Sequence, residues 1–319
     1  MTQLADRSEL KNRYIFSGTL IMDTPLHIGA GGEISTVTDS PILRDASGRP
    51  IIPGSSLKGA FRTAVERLAP SLGSDATPLN SCNLYDDDED LSCLSPQKSK
   101  LGKAYRSLSR WLGRPLPAQG SLPEATEGWE AVALFQGQTP GFEISEGQSI
   151  TERDHLLPIL EAHLCDTCHL FGSNYLAAKT FFDDLAVVDK TWFDITEIRD
   201  GVGIDRDSER AVNNIKFDYE VAPSQTQFQF GLTVENATPR QLGLIAVGLQ
   251  EFRSGMVRLG GIKSRGLGKC HLVLDKVQYF DDKSKLLSYL SSGKLACQPA
   301  DEFIAKQLSV FGAEEAGNA

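Results

Sequence analysis

From Asn12 to Met22, apolar residues recur at alternate positions: Tyr14, Phe16, Leu20 and Met22, with Gly18 in the same register. A two-residue period marks a strand with one buried face, so a strand is predicted here. Leu57, Phe61, Val65 and Leu68 then recur at helical spacing. They lie on one face of a helix that Ser55 or Ser56 would cap and that ends near Ala69-Pro70. From about residue 70 to 150 the period fades, and Pro, Gly, Ser and Asp accumulate. Only a short helix around Leu101–Leu112 is expected there, and the stretch reads as an irregular insertion rather than a second core. Helical character returns over Asp154–Leu164, followed by a short strand at Phe181–Val188. Phe228, Phe230, Leu232 and Val234 alternate with polar neighbours as a further strand. Thr238-Pro239-Arg240-Gln241 opens the next helix with a capping hydroxyl, proline at N1 and glutamine at N3. That helix runs to about Phe252–Ser254. A glycine-rich loop, Leu259–Gly268, leads to a last strand, Cys270–Phe280, and the tail after Gln298 is weakly helical at best.

This order predicts an α+β fold with helices on one face of a sheet, most economically a ferredoxin-like split sheet with long insertions. Residues 1–70 and 151–285 form the sheet domain, 71–150 an acidic irregular insertion and 286–319 a C-terminal tail. The composition agrees with a globular class: 40% of the 319 residues are hydrophobic and 23% charged. The longest apolar stretch, around Leu242–Leu249, is far below the ~20 residues of a bilayer span, so no membrane association is expected. The polar N-terminus has no signal pattern, and six cysteines make no disulfide scaffold. A cytoplasmic setting follows as the expectation.

A formal charge of −10 argues against nucleic acid until its distribution is considered. Asp86, Asp87, Asp88, Glu89 and Asp90 form a run inside the insertion, a solvated face by default. Residues 255–271 instead carry Arg258, Lys263, Arg265 and Lys269 with no acid. The loop Gly260-Gly261-Ile262-Lys263-Ser264-Arg265-Gly266-Leu267-Gly268 lets backbone approach a ligand closely and adds positive charge, a combination suited to a polyanion. It matches neither a Walker A loop nor a dinucleotide fingerprint, and a plain flexible connection is its alternative. The segment Pro53-Gly54-Ser55-Ser56-Leu57-Lys58-Gly59-Ala60-Phe61-Arg62 is a second anion site: a helix start whose free amides, two hydroxyls, Lys58 and Arg62 would cradle phosphate. The competing account pairs Lys58 and Arg62 with Glu66. A third segment, Arg199 through Asp205, Arg206 and Asp207 to Glu220, interleaves acids and bases, as a solvated hairpin also would. His27 lies in a first glycine loop, His27-Ile28-Gly29-Ala30-Gly31-Gly32, and Asp39 is held on a turn by Ser40-Pro41.

Cys165-Asp166-Thr167-Cys168 is one C-x-x-C pair, and zinc wants four ligands. Cys82 and Cys93 would complete the set, with His155, His163 or His169 as substitutes. Free buried thiols are the other reading.

These motifs, in this order and with Leu170-Phe171-Gly172 after Cys168, resemble the RAMP superfamily of CRISPR proteins, and more narrowly the backbone subunits that line guide RNA in type III effector complexes. The resemblance implies a ferredoxin-like, RNA-recognition-like palm and a β-hairpin thumb over about 199–222, which wedges between guide and target strands. It implies contacts to RNA from His27, Gly29, Ser55, Ser56, Lys58, Arg62, Arg199, Arg206, Gly260, Gly261, Lys263, Ser264 and Arg265. Guide RNA, complementary target RNA and other CRISPR effector subunits are the implied partners. Asp39 matches the aspartate that supports metal-dependent cleavage, with Mg as the implied ion for that step and structural Zn at the cysteines. A catalytically inactive backbone subunit, a guide-processing endonuclease built on His27, and a nucleotide-cofactor enzyme are the competing functions.

Overall fold

Strand β1 (Arg13–Met22) follows its alternation: Tyr14, Phe16, Leu20 and Met22 are buried. The computed structural model describes residues 9–31, 38–73, 79–82, 93, 99–204 and 211–316. A two-residue strand β2 (Ile51–Ile52) precedes helix α1 (Gly54–Leu72). Neither Ser55 nor Ser56 caps α1, contrary to expectation: the helix starts at Gly54, so both lie exposed inside its first turn. The Gly54 amide is taken instead by the Asp184 carboxylate at 2.7 Å. The helix also runs past Pro70 to Leu72. Proline removes the donor that would serve the Glu66 carbonyl, and the Ser81 hydroxyl takes its place at 3.0 Å.

The insertion has a core of its own, which corrects the irregular reading. Helices α2 (Lys100–Ser109) and α3 (Pro123–Gln136) bury Leu108, Ala125 and Phe135, joined by Leu116, Phe142 and Ile150. The periodicity was obscured because small residues carry the packing: a Cβ at Gly128 would come within 2.6 Å of Leu116. A π-turn (Glu152–Leu156), α4 (Leu157–His163) and α5 (Asp166–Phe171) extend this second core through Ile159, Leu160 and Cys168.

The strand expected over 181–188 is split in two. β3 (Thr180–Phe182) joins the main sheet, and β4 (Leu185–Ala186) pairs with β2. β5 (Glu197–Ile204) and β6 (Ala211–Val221) form the expected antiparallel hairpin. β7 (Gln227–Glu235) leads to α6 (Pro239–Arg253), whose Thr238–Gln241 capping box is complete. After β8 (Cys270–Phe280) the tail forms α7 (Leu286–Ser292), β9 (Ala296–Pro299) and α8 (Ala300–Ala316). It is thus more ordered than predicted: Phe303 and Ile304 of α8 are buried, and Phe303 meets Phe16 edge-on at 5.4 Å.

The five-stranded sheet has the order β3-β7-β1-β8-β9 with every neighbour antiparallel. Helices α1 and α6 pack together in the same core, with Phe61 stacked on Phe252 at 5.7 Å. An α+β fold with antiparallel sheets is therefore what the chain adopts. Among the described residues, no helix is long and apolar enough to cross a membrane.

Candidate functional site

Three segments far apart in sequence meet at His27, which is buried. Its Nδ1 lies 2.7 Å from the Glu220 carbonyl oxygen, so Nδ1 carries the hydrogen and donates. Nε2 faces the Ser40 hydroxyl at 3.4 Å. The His27 carbonyl accepts the Gly261 amide at 2.8 Å. The first glycine loop, the base of the β5–β6 hairpin and the basic glycine loop are thereby fastened to one side chain and its backbone. Gly29, exposed, bridges Ile42 on the segment that carries Asp39.

Residues 38–42 run along β6. The Asp39 amide donates to Asp218 Oδ1 at 2.8 Å, and the Asp218 amide donates to Asp39 Oδ2 at 3.2 Å. Farther along, the Glu220 amide donates to the Ser40 carbonyl at 3.0 Å, and the Glu220 carboxylate accepts from the Ile42 amide, Arg44 and the Thr196 hydroxyl. Burial, the largest influence, would push the Glu220 carboxyl up. The Thr196 and Ile42 hydrogen bonds and the Arg44 charge outweigh it, so it sits below the ordinary glutamate value. Asp39 is exposed, and its Oδ1 has no partner among the described residues. That oxygen could hold a divalent cation, for which carboxylate oxygen is a suitable donor.

The basic glycine loop turns through Ile262, which adopts φ 56°, into a 3-10 turn presenting Lys263, Ser264 and Arg265 to solvent. Gly260 adopts φ 76°, and a Cβ there would overlap the His27 carbonyl oxygen. A groove of about 420 Å³ joins this loop to the middle of α1, lined by Gly59, Thr63, Arg67, Glu251, Arg258 and Lys263. Lys58 is half-buried one turn into α1. The Gly54 end of α1 already holds the carboxylate of Asp184, so the first amide of the expected cradle is taken.

Arg62 does not join Lys58 in a phosphate cradle; the competing account, its pair with Glu66, is the one the structure shows. Its guanidinium bonds Glu66 at 2.6 Å, the Gly172 carbonyl at 2.9 Å and Cys168 Sγ at 3.5 Å, with only 12% of the side chain exposed. It is a tie between α1 and the cysteine segment. Arg199 pairs with Glu197 along its own strand at 3.2 Å. Arg206, and Asp205 with it, lie outside the described residues.

The Cys82, Cys93, Cys165 and Cys168 sulfurs all lie within 4.8 Å of one another. Four thiolates around zinc at about 2.3 Å would sit roughly 3.8 Å apart, so this donor set and spacing fit that ion. Hydrogen bonds from Cys168, Cys82 and Cys93 hold the Cys165 thiol far below its usual range. The histidine substitutes are engaged elsewhere: His155 Nδ1 accepts the Thr151 amide, and His163 Nε2 meets the Thr139 hydroxyl, each at 2.9 Å. His169 is buried but not part of the thiol group.

Sequence reasoning missed Asp218, Arg44, Asp184 and Arg67. The alternation Phe217-Asp218-Tyr219-Glu220-Val221 carried one usable signal: two carboxylates on one strand face opposite an aromatic and apolar one.

A family model described as the RAMP superfamily matches residues 19–271. A 60-residue segment is 47% identical to the CRISPR system Cms endoribonuclease Csm3 of Methanocaldococcus jannaschii, covering 18% of this chain and 24% of that protein. The proteins of the same name from Enterococcus italicus and Mycobacterium tuberculosis are 49% and 48% identical over 53 and 54 residues. Those two matches each cover 16% of this chain, and 25% and 23% of the respective relatives. The matched segments thus span about a quarter of the length of these relatives. With a family match across most of its length, this chain belongs to the RAMP superfamily.

Proposed function

We propose that this chain is a guide-RNA-binding backbone subunit of a type III CRISPR effector complex, and that it cleaves complementary target RNA beside a nucleotide displaced by the β5–β6 hairpin. In this reading the five-stranded sheet is a ferredoxin-like palm and the hairpin its thumb. The observation that carries it is the pairing of Asp39 with Asp218, which sets an exposed carboxylate at the hairpin base. The names of the Csm3 relatives, each an endoribonuclease, support it.

The groove between α1 and the basic glycine loop suits a ribose-phosphate strand. Arg67, Arg258 and Lys263 line it, and with Lys58 and Arg265 on the same two segments they supply charge without reading base edges, so binding is independent of guide sequence. A stacked A-form strand keeps its 2′-hydroxyl out of line with the leaving 5′-oxygen, and displacing one nucleotide lifts that restraint. The 2′-oxygen then attacks phosphorus and the bond to the 5′-oxygen breaks, leaving a 2′,3′-cyclic phosphate and a 5′-oxygen that takes a proton from solvent water to become the 5′-hydroxyl. Asp39 sits to hold the metal or to take the 2′-proton. A bound Mg ion would supply charge stabilisation at the phosphate. The cysteine set would hold zinc as a structural ion, tying the insertion to α5.

The test is an assembled complex given complementary RNA and magnesium. Wild type is expected to cut at regular intervals, and Asp39→Ala to bind target without cutting. Uncut target with the wild-type chain would instead identify an assembly subunit.

A further inference from the structure

Asp218 stands where β6 passes the Asp39 loop, and it grips that loop in three ways. Its Oδ1 accepts the Thr38 hydroxyl at 2.6 Å and the Asp39 amide at 2.8 Å, while its amide returns a bond to Asp39 Oδ2 at 3.2 Å. Two carboxylates this close repel unless donors separate them. Here each is met by N–H or O–H groups of the other's segment, so the repulsion is held apart by hydrogen bonds to charged acceptors, the stronger kind. The contact is also directional: the Asp39 amide and one Asp39 oxygen are both engaged with the same residue, which ties its backbone and one end of its carboxylate to the same point of β6. The adjacent Ser40–Glu220 and Ile42–Glu220 bonds continue the same alignment along β6.

We propose that Asp218 is a positioning residue for cleavage, holding the Asp39 carboxylate in fixed register with the hairpin that displaces the target nucleotide. This rests on the reading of Asp39 as the cleavage residue. The attacking geometry and the displaced nucleotide are set by the hairpin, whereas the reacting carboxylate comes from a different segment. Something must keep the two aligned, because a misplacement of about 1 Å can cost on the order of a hundredfold in rate. Asp218 is the side chain that spans them.

The test uses the assembled complex with saturating complementary RNA, measuring single-turnover cleavage and target affinity on the same preparations. Asp218→Ala is expected to slow cleavage by about a hundredfold with affinity unchanged. Asp218→Asn, which keeps an oxygen acceptor at Oδ1, is expected to recover most of the rate. Should Asp218→Ala fail to assemble, Thr38→Val and Asp218→Asn carry the test, the first slowed and the second near normal. Wild-type rates in Asp218→Ala, or in Thr38→Val where that variant carries the test, would overturn the proposal. Equal loss in the alanine and asparagine variants would overturn it differently, by making the Asp218 charge itself a participant. Asp39→Ala, run alongside, separates the two failures: if it cuts normally, the role of Asp39 falls, and that of Asp218 with it.

Discussion

The imidazole of His27 donates from Nδ1 to the main-chain carbonyl of Glu220, 2.7 Å away and 193 residues distant in sequence. Glycine loop and hairpin base are therefore locked together by one buried ring, and the Glu220 side chain secures the same junction from the other side through Ile42, Arg44 and Thr196. The junction is the mechanical centre of the site.

Its carboxylate should make stability depend on acid. The Glu220 carboxyl lies below its ordinary value of 4.5. A depressed value means that the ionised form stabilises the fold. That contribution is complete above the ordinary value and is lost as pH falls through the lower, folded-state one. Denaturant unfolding of wild type is expected to lose stability on acidification below 4.5. Glu220→Gln should start less stable near neutrality and show a smaller loss over the same window.

Gly260 is expected to tolerate no side chain. At φ 76° an L residue is strained by roughly 1–3 kcal/mol, and its Cβ would also overlap the His27 carbonyl. Gly260→Ala should lower the midpoint of thermal unfolding and weaken RNA binding together. Gly59→Ala is the contrast, since nothing lies within 4 Å of a Cβ there. It should be neutral or gain about 0.5–1 kcal/mol from helix propensity.

Elemental analysis of the purified chain should find zinc held by the four cysteines. Chelation, or Cys165→Ser, is expected to unfold the second core around Phe135 and Ile159 at lower temperature than the sheet, because the thiol cluster joins the insertion to α5. Cys297→Ser, exposed and outside the cluster, should leave both zinc content and melting unchanged. Absence of zinc in chain purified with zinc present would leave four reduced thiols as the account.

Salt titration of guide-RNA binding distinguishes the cations. For each of Lys263→Ala and Arg265→Ala, the slope of log affinity against log salt should shrink by about 0.7, the single-strand value per phosphate contact. Arg62→Ala should leave that slope intact and reduce stability, since its guanidinium is committed to Glu66, Gly172 and Cys168.

Much of this was legible in the chain because its signals are local. The alternation of β1 and β7 and the Thr238–Gln241 box need only a few neighbouring residues, and each formed where predicted. The second core was not legible, because Ala125, Gly128 and Ala131 pack α3 through closeness rather than bulk. In α8, Phe303, Gln307 and Phe311 fall on one helical face, but an amide in the middle breaks the apolar stripe. The motifs at His27, Asp39 and residues 260–265 lie on segments that the fold brings together, through the His27 bonds to Glu220 and Gly261 and the Ser40–Glu220 bond. For Arg62 the local alternative, the i+4 pair with Glu66, forms, whereas its other partners, Gly172 and Cys168, lie more than a hundred residues away, where helical spacing carries no information.

Among the described residues, β5 and β6 pair with each other and with no other strand. A ribbon of two strands is marginal in water by itself, so its bearing relative to the sheet is fixed at its root. The arrangement is a lever with Glu220 as its fulcrum. A load applied along the ribbon is resolved at that root, where the Glu220 carboxylate lies buried beside the His27 and Asp218 bonds, and a change there should redirect the far end without touching it.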